Sequence, residues 1–278
     1  MGISLLKIFL FSLLLQVTAL ANTSAFLSVP DMSALMEYPQ DVNPEWPLEL
    51  VEIQKEVYKR NEKASFCMRP VEMVDTLVIH HSETPATTTA QEINDFHLAR
   101  GTPEDPWYMI AYSYVINSPY ARTELPLQKV TEGRPLEIVG AHAGTNAFVP
   151  MDEEQKRLWD ANKVLCGKEN EEPKLEQSLV IDGKIKANVT TIGIVINGNY
   201  SPFSITNPSG YSKKKPRYPT MKTQDLVAKL SCQLQKKYPR IKVIKWHSYY
   251  HDTTCPGTIK SYIGQIKTLA KRYGCEFN

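Results

Sequence analysis

The sequence predicts an α/β domain in which a mixed central β-sheet is flanked by helices. Three observations carry that expectation. Short runs rich in β-branched residues recur along the chain, "VDTLVIH", "AYSYVI", "TTIGIVING" and "IKVIKWH", each bounded by polar or glycine-containing loops. Between them lie longer stretches whose apolar residues return at helical spacing. Strands interspersed with helices are the pattern of a sheet covered by helices. At 278 residues, with no visible repeat, the chain can bury a proper core as one large domain with appendages.

The elements follow in order. Residues 1–21, "MGISLLKIFLFSLLLQVTALA", hold one positive charge (Lys7), an apolar core, and Ala19 and Ala21 at the spacing of a cleavage site. They read as a secretory signal peptide. Their apolar core is shorter than the roughly 20 residues a bilayer needs, so no stable membrane anchor is expected. The protein is accordingly expected to be exported, either periplasmic or secreted. Residues 22–70, with prolines at 30, 39, 44 and 47, read as an N-terminal extension wrapped on the core, with one helix in "PLELVEIQKEVYKRNEK".

The main domain spans 71–278. "VDTLVIH" is short and β-branched, hence a buried strand. Thr89 and Glu92 have capping-box spacing and open a helix over "AQEINDFHLAR", with Ala90, Ile93 and Phe96 on one face and Gly101 as its stop. Two charged, poorly patterned stretches, about 147–187 and 201–219, read as insertions. A helix is expected from about 222 to 238. After the last strand, Ile259, Ile263, Ile266 and Ala270 mark a closing helix that ends before Gly274.

Charge excludes one class of partner. The formal net charge is +2, which gives no electrostatic case for nucleic acid. Five cysteines remain to be placed, Cys67, Cys166, Cys232, Cys255 and Cys275. An odd count in an exported chain suggests pairs plus one left for other work. Cys255 sits among metal-binding side chains and is taken as the odd one; the other four allow three pairings.

The chemistry lies where apolar runs end. "TLVIHHS" delivers His80 and His81 to a strand terminus, and "WHSYYHDTTCPG" delivers His247, with Cys255 eight residues on. Alternation along a strand sends His80 and His81 to opposite faces, so only one of them is expected to ligate. Zinc takes nitrogen and sulfur donors, and catalytic zinc keeps three protein ligands and one open position. His80, His247 and Cys255 match that requirement, with one zinc per chain. Pro256 and Gly257 suit a sharp turn after the thiolate.

"VIHHS", "DFHLARG", "AYSYVI", "IVGAHAG", "IGIVINGNY" and "HSYYHDTTCPG" stand in the order found in the zinc-dependent type 2 N-acetylmuramoyl-L-alanine amidases, a family that includes the peptidoglycan-recognition proteins. The chain resembles that family over roughly 71–273. The resemblance implies a zinc-activated water that hydrolyses the amide between N-acetylmuramic acid and L-alanine, in peptidoglycan or muropeptides, by a monomer. It implies the same three ligands. It further implies Tyr112 of "AYSY" as the catalytic tyrosine and Thr253 as a contact to the reacting carbonyl. His142 falls beside the family's substrate groove, and His81 is expected to line the substrate with it. Ala111 stands where the family usually has glycine, and "TPEDPWYMI" lengthens the link before Tyr112. The competing reading is a non-catalytic peptidoglycan receptor on the same fold, a branch in which the cysteine ligand is typically replaced.

Overall fold

Each β-branched run becomes a strand, and shorter strands extend the sheet beyond them. The computed structural model describes residues 47–103, 106–117, 129–140, 142–144, 146–201 and 217–278, all within the compact unit Pro44–Asn278. The expected signal peptide, the extension up to residue 46 and most of the second insertion (202–216) lie outside the described residues.

Residues 47–63 carry no helix, which corrects the expectation. Ile53–Lys55 instead forms a strand, β1, at one edge of the central sheet. The cause is tertiary. Leu48, Val51 and Ile53 pack against the main core, and the Val51 N–H donates to Gln233 Oε1 at 2.9 Å. Leu50 and Val57 are left exposed. A local helical tendency yields to a sheet edge that offers backbone partners.

β2 (Phe66–Met68) is followed by β3 (Thr76–His81), which is buried along its whole length. Thr89 and Glu92 form the expected capping box at the start of α1 (Ala90–Leu98). The buried face of α1 is Ala90, Ile93, Asn94 and His97, a stripe at i, i+3, i+4 and i+7. Phe96 lies off that stripe and is exposed, contrary to expectation, with the Arg100 guanidinium over its ring at 5.2 Å. β4 (Tyr114–Asn117) begins three residues later than the β-rich run, and β5 (Lys129–Glu132) pairs with it antiparallel.

The segment that looked poorly patterned is folded. β6 (Phe148–Pro150), α2 (Glu153–Asp160) with its Asp152–Gln155 capping box, β7 (Leu165–Gly167), β8 (Val180–Ile181) and β9 (Lys184–Lys186) occupy it in turn. They build a small antiparallel sheet in the order β6-β9-β8, and β7 pairs with β2. Leu158, Trp159, Val164 and Ile185 form a core of their own with Met73 and Val189. The short helix α3 (Ala187–Thr190) then leads directly into β10 (Thr191–Ile196), which α4 (Met221–Lys237), β11 (Val243–Trp246) and α5 (Ile263–Arg272) follow.

The central sheet has the order β1-β5-β4-β10-β3-β11. Only the β4–β5 pair is antiparallel, so the sheet is mixed, as predicted. Leu77, Ile79, Ile192, Ile194 and Ile196 pack on α4 and α5 through residues such as Leu230 and Ile266. Val115 and Val195 pack with Ala90 and Ile93 of α1 in a second cluster. Disulfides join Cys67 to Cys166 across β2 and β7, and Cys232 of α4 to Cys275 near the C-terminus. Cys255 is the free thiol, as expected. Among the described residues no helix is long and apolar enough to cross a membrane.

Candidate metal centre

β3 and β11 run parallel with Trp246 opposite Ile79, so the next residue of each strand, His247 and His80, emerges at the same sheet end. Their ring centroids are 4.6 Å apart. The carboxyl ends of parallel strands are where open α/β sheets leave room for a ligand. The chain turns through His247–Tyr249 and folds back, and the Ser248 N–H donates to the Cys255 carbonyl at 2.9 Å. That bond brings the thiol under the two rings. Gly257 completes the turn at φ +63°, and a Cβ there would stand 2.1 Å from the Tyr200 carbonyl oxygen. Only glycine fits both demands.

The ligand atoms of His80, His247 and Cys255 lie within 4.8 Å of one another. Cys255 Sγ is 3.7 Å from His80 Nδ1, close to the roughly 3.5 Å edge of a tetrahedron built on ordinary zinc–nitrogen and zinc–sulfur bonds. His80 is fully buried, Cys255 nearly so and His247 half-buried. An imidazole gives one nitrogen to a given ion, and the His80 Nδ1 that faces the sulfur is the one so placed. Two neutral imidazoles and a sulfur gathered in a buried site are the donors that zinc takes. The donor set therefore fits zinc.

Electrostatics favours the same reading. Burial, then the charges of His247, His142 and His81, hold His80 well below the usual imidazole range. Burial, then His251 and His81, lowers His247 to about 4. Both rings are thus neutral near pH 7, with lone pairs free to coordinate. Burial pushes the Cys255 thiol up to about 12, against the His81 N–H that points at its sulfur from 3.4 Å. A bound dication is what would reverse that shift and stabilise the thiolate.

The other expected residues are distributed around this cluster. Tyr112 packs at the side with its ring tilted 52° to that of His80, centroids 5.0 Å apart, and burial raises its phenol above the usual range. His142 lies edge-on to His80 at 5.6 Å and shares a 2.9 Å hydrogen bond with Thr191 Oγ1. Its Nδ1 makes no well-formed bond, although the Ala111 carbonyl bears on it. Thr253 is half-buried in the returning loop, where its Oγ1 accepts the Cys255 N–H at 3.3 Å. The His81 ring points away from the cluster. Its Nδ1 accepts the Tyr200 N–H at 3.1 Å, and its Nε2 is 3.4 Å from the Glu83 carboxylate.

Several contributors were not singled out from the sequence. Gly193 in β10 makes room for two of the rings: a Cβ there would stand 3.0 Å from His142 Cγ and 3.2 Å from Tyr112 Cδ1. The lone glycine inside "TTIGIVI" was the available signal, since glycine within a strand often marks a close approach. Asn188 accepts the Ala143 N–H at 2.6 Å and donates to the Gly144 carbonyl at 2.9 Å, fixing the loop after His142. Local sequence carries no sign of that long-range role.

A family model described as N-acetylmuramoyl-L-alanine amidase matches residues 69–258. No curated protein matches the chain. Solved structures that resemble it include the endolysin amidase LysCS of Clostridium intestinale, at 20% identity, TM-score 0.46, 79% of this chain and 95% of that one. Drosophila peptidoglycan recognition protein SD matches at 17% identity and TM-score 0.46, over 77% of this chain and 94% of its own. A variant of Drosophila PGRP-LB in complex with tracheal cytotoxin matches at 19% identity and TM-score 0.42, over 76% and 90%.

Proposed function

We propose a function from one premise: the chain belongs to the N-acetylmuramoyl-L-alanine amidase family, whose model spans most of its length. It hydrolyses the amide between N-acetylmuramic acid and L-alanine in peptidoglycan or muropeptides, acting as an exported monomer with one zinc per chain. The observation that carries the reading is the buried convergence of His80, His247 and Cys255 at one sheet end. These three side chains would hold the ion. Bound there, zinc lowers the pKa of a coordinated water from about 15.7 toward 7 and polarises the scissile carbonyl.

The chain's own groups divide the remaining work. Tyr112 keeps its proton at neutral pH because burial disfavours the phenolate, so it orients the attacking water through a hydrogen bond. Thr253 Oγ1 already accepts the Cys255 N–H, which leaves its own proton free for the developing oxyanion. His142, edge-on to His80, and His81, which holds the Tyr200 N–H, are assigned to the substrate side of the site; both are nearly inaccessible, so they shape its wall from behind. Two disulfides support export into an oxidising compartment.

The test is release of soluble stem peptide from purified cell-wall sacculi, with and without a chelator. Release with new lactyl-free alanine amino groups, abolished by the chelator and restored by zinc, is the expected result. Binding to sacculi with no release under any metal condition would instead favour a receptor.

A further inference from the structure

The segment that delivers Tyr112 is buried yet belongs to no helix or strand. Met109, Ile110 and Ala111 are all nearly inaccessible. Buried irregular backbone must find partners for its N–H and C=O groups outside any regular ladder. Here three side chains supply them. Asn94 Oδ1 accepts the Ile110 N–H at 2.8 Å, and His97 Nδ1 accepts the Ala111 N–H at 3.1 Å. Arg134 donates from Nε to the Ile110 carbonyl at 2.7 Å and from Nη2 to the Met109 carbonyl at 2.8 Å.

Two of these side chains are tied at their other end, and the third packs on the tyrosine itself. Asn94 Nδ2 donates to the Lys59 carbonyl at 3.1 Å, and Arg134 Nη1 donates to the Val139 carbonyl at 2.6 Å. The Arg134 backbone N–H reaches the Tyr112 carbonyl at 2.8 Å. The His97 ring also packs on the Tyr112 ring, with centroids 5.4 Å apart. Arg134 is buried, and its side-chain hydrogen bonds run to carbonyl oxygens. Burying a guanidinium that way is expensive, and an apolar residue would fill the space more cheaply. Its return is a fixed backbone immediately before the tyrosine.

We propose that Asn94, His97 and Arg134 are positioning residues that set the phenol of Tyr112 over the site. The proposal rests on the reading that Tyr112 acts in hydrolysis. None of the three needs to meet the substrate. They act by removing alternative placements of the 109–112 backbone, and misplacing a reacting group by about 1 Å can slow a reaction a hundredfold.

His97 gives the cleanest test, with a muramoyl-L-alanyl peptide as substrate and zinc content measured on every protein. His97→Leu removes the acceptor and keeps apolar bulk, whereas His97→Asn keeps an acceptor near the Nδ1 position. We expect His97→Leu to retain zinc and lower kcat about tenfold to a hundredfold with little change in KM. His97→Asn should recover most of the rate. In a Tyr112→Phe background, His97→Leu should cause no further loss, because the group it positions is already gone. Should His97→Leu not fold, His97→Gln, whose acceptor sits one bond further out, is read in the same way. A slow Tyr112→Phe protein combined with a wild-type rate in His97→Leu overturns the proposal. So does an equal loss from His97→Leu in both backgrounds. A wild-type rate in Tyr112→Phe itself overturns the role of Tyr112, and the positioning proposal with it.

Discussion

Cys255 is the residue on which the catalytic reading turns, because it is the free thiol and the sulfur donor of the proposed site. Its sulfur receives the His81 N–H as a clear donor, and burial, with the Glu83 carboxylate adding to it, holds the thiol protonated. Serine is nearly isosteric, but its hydroxyl is a far poorer zinc ligand than a thiolate. Cys255→Ser should therefore leave the fold almost untouched and strip both zinc and activity. Elemental analysis, thermal unfolding and turnover on a muramoyl-peptide would check it together; full zinc occupancy or wild-type turnover would remove Cys255 from the ligand set. His81 shows the limit of the same residue-level reasoning. Strand alternation correctly separated it from His80, but nothing local could say that its ring would hold the Tyr200 N–H.

At the scale of elements, legibility followed the range of the interactions. The four β-rich runs and the capped helix α1 rest on local pattern, and all appear. The helix expected across 47–63 failed because a long-range sheet edge claimed Ile53–Lys55. Phe96 is expected on one face with Ala90 and Ile93, whereas the buried stripe runs through Asn94 and His97, whose side chains accept the Ile110 and Ala111 N–H groups. The candidate ligands were legible as strand-end histidines plus a cysteine on the next turn, and their donor atoms do converge. The supports around Tyr112 were not, since Arg134 is 22 or more residues from the segment it holds and each bond is to backbone. Gly193 offers a test at this scale. Ala at that position adds one carbon at 3.0–3.2 Å from His142 and Tyr112, tighter than packed atoms normally approach. Overpacking of this kind costs about 1–3 kcal/mol. Gly193→Ala should lower thermal stability modestly and turnover disproportionately, since the strain falls on two rings of the site. A variant with wild-type kcat and a reduced unfolding temperature would show that β10 tolerates the carbon without moving either ring.

Across the whole molecule, the inserted segment is joined to the domain by chemistry as well as by packing. Its sheet β6-β9-β8 and helix α2 share a core with Met73 and Val189, which flank the central strands β3 and β10. Cys67–Cys166 then staples β7 of the insertion to β2 ahead of the domain, across a sequence separation of 99. Closing a loop of that length restricts the unfolded chain by about 4.7 kcal/mol in the entropic account, and native bridges are worth about 2–5 kcal/mol when removed. The proposed zinc ligands lie elsewhere, at the ends of β3 and β11 and on the turn that follows, so the bridge supports the frame and not the donor geometry. Replacing both Cys67 and Cys166 by alanine should therefore shift the guanidinium midpoint down by an amount equivalent to about 2–5 kcal/mol, while zinc content and kcat under native conditions stay close to wild type. The unfolded, unreduced wild-type protein should expose one alkylatable thiol per chain, at Cys255, when read by mass spectrometry. An unchanged midpoint, or alkylation of Cys67 and Cys166 in that assay, would mean that the bridge does not form and that packing against Met73 and Val189 alone holds the insertion in place.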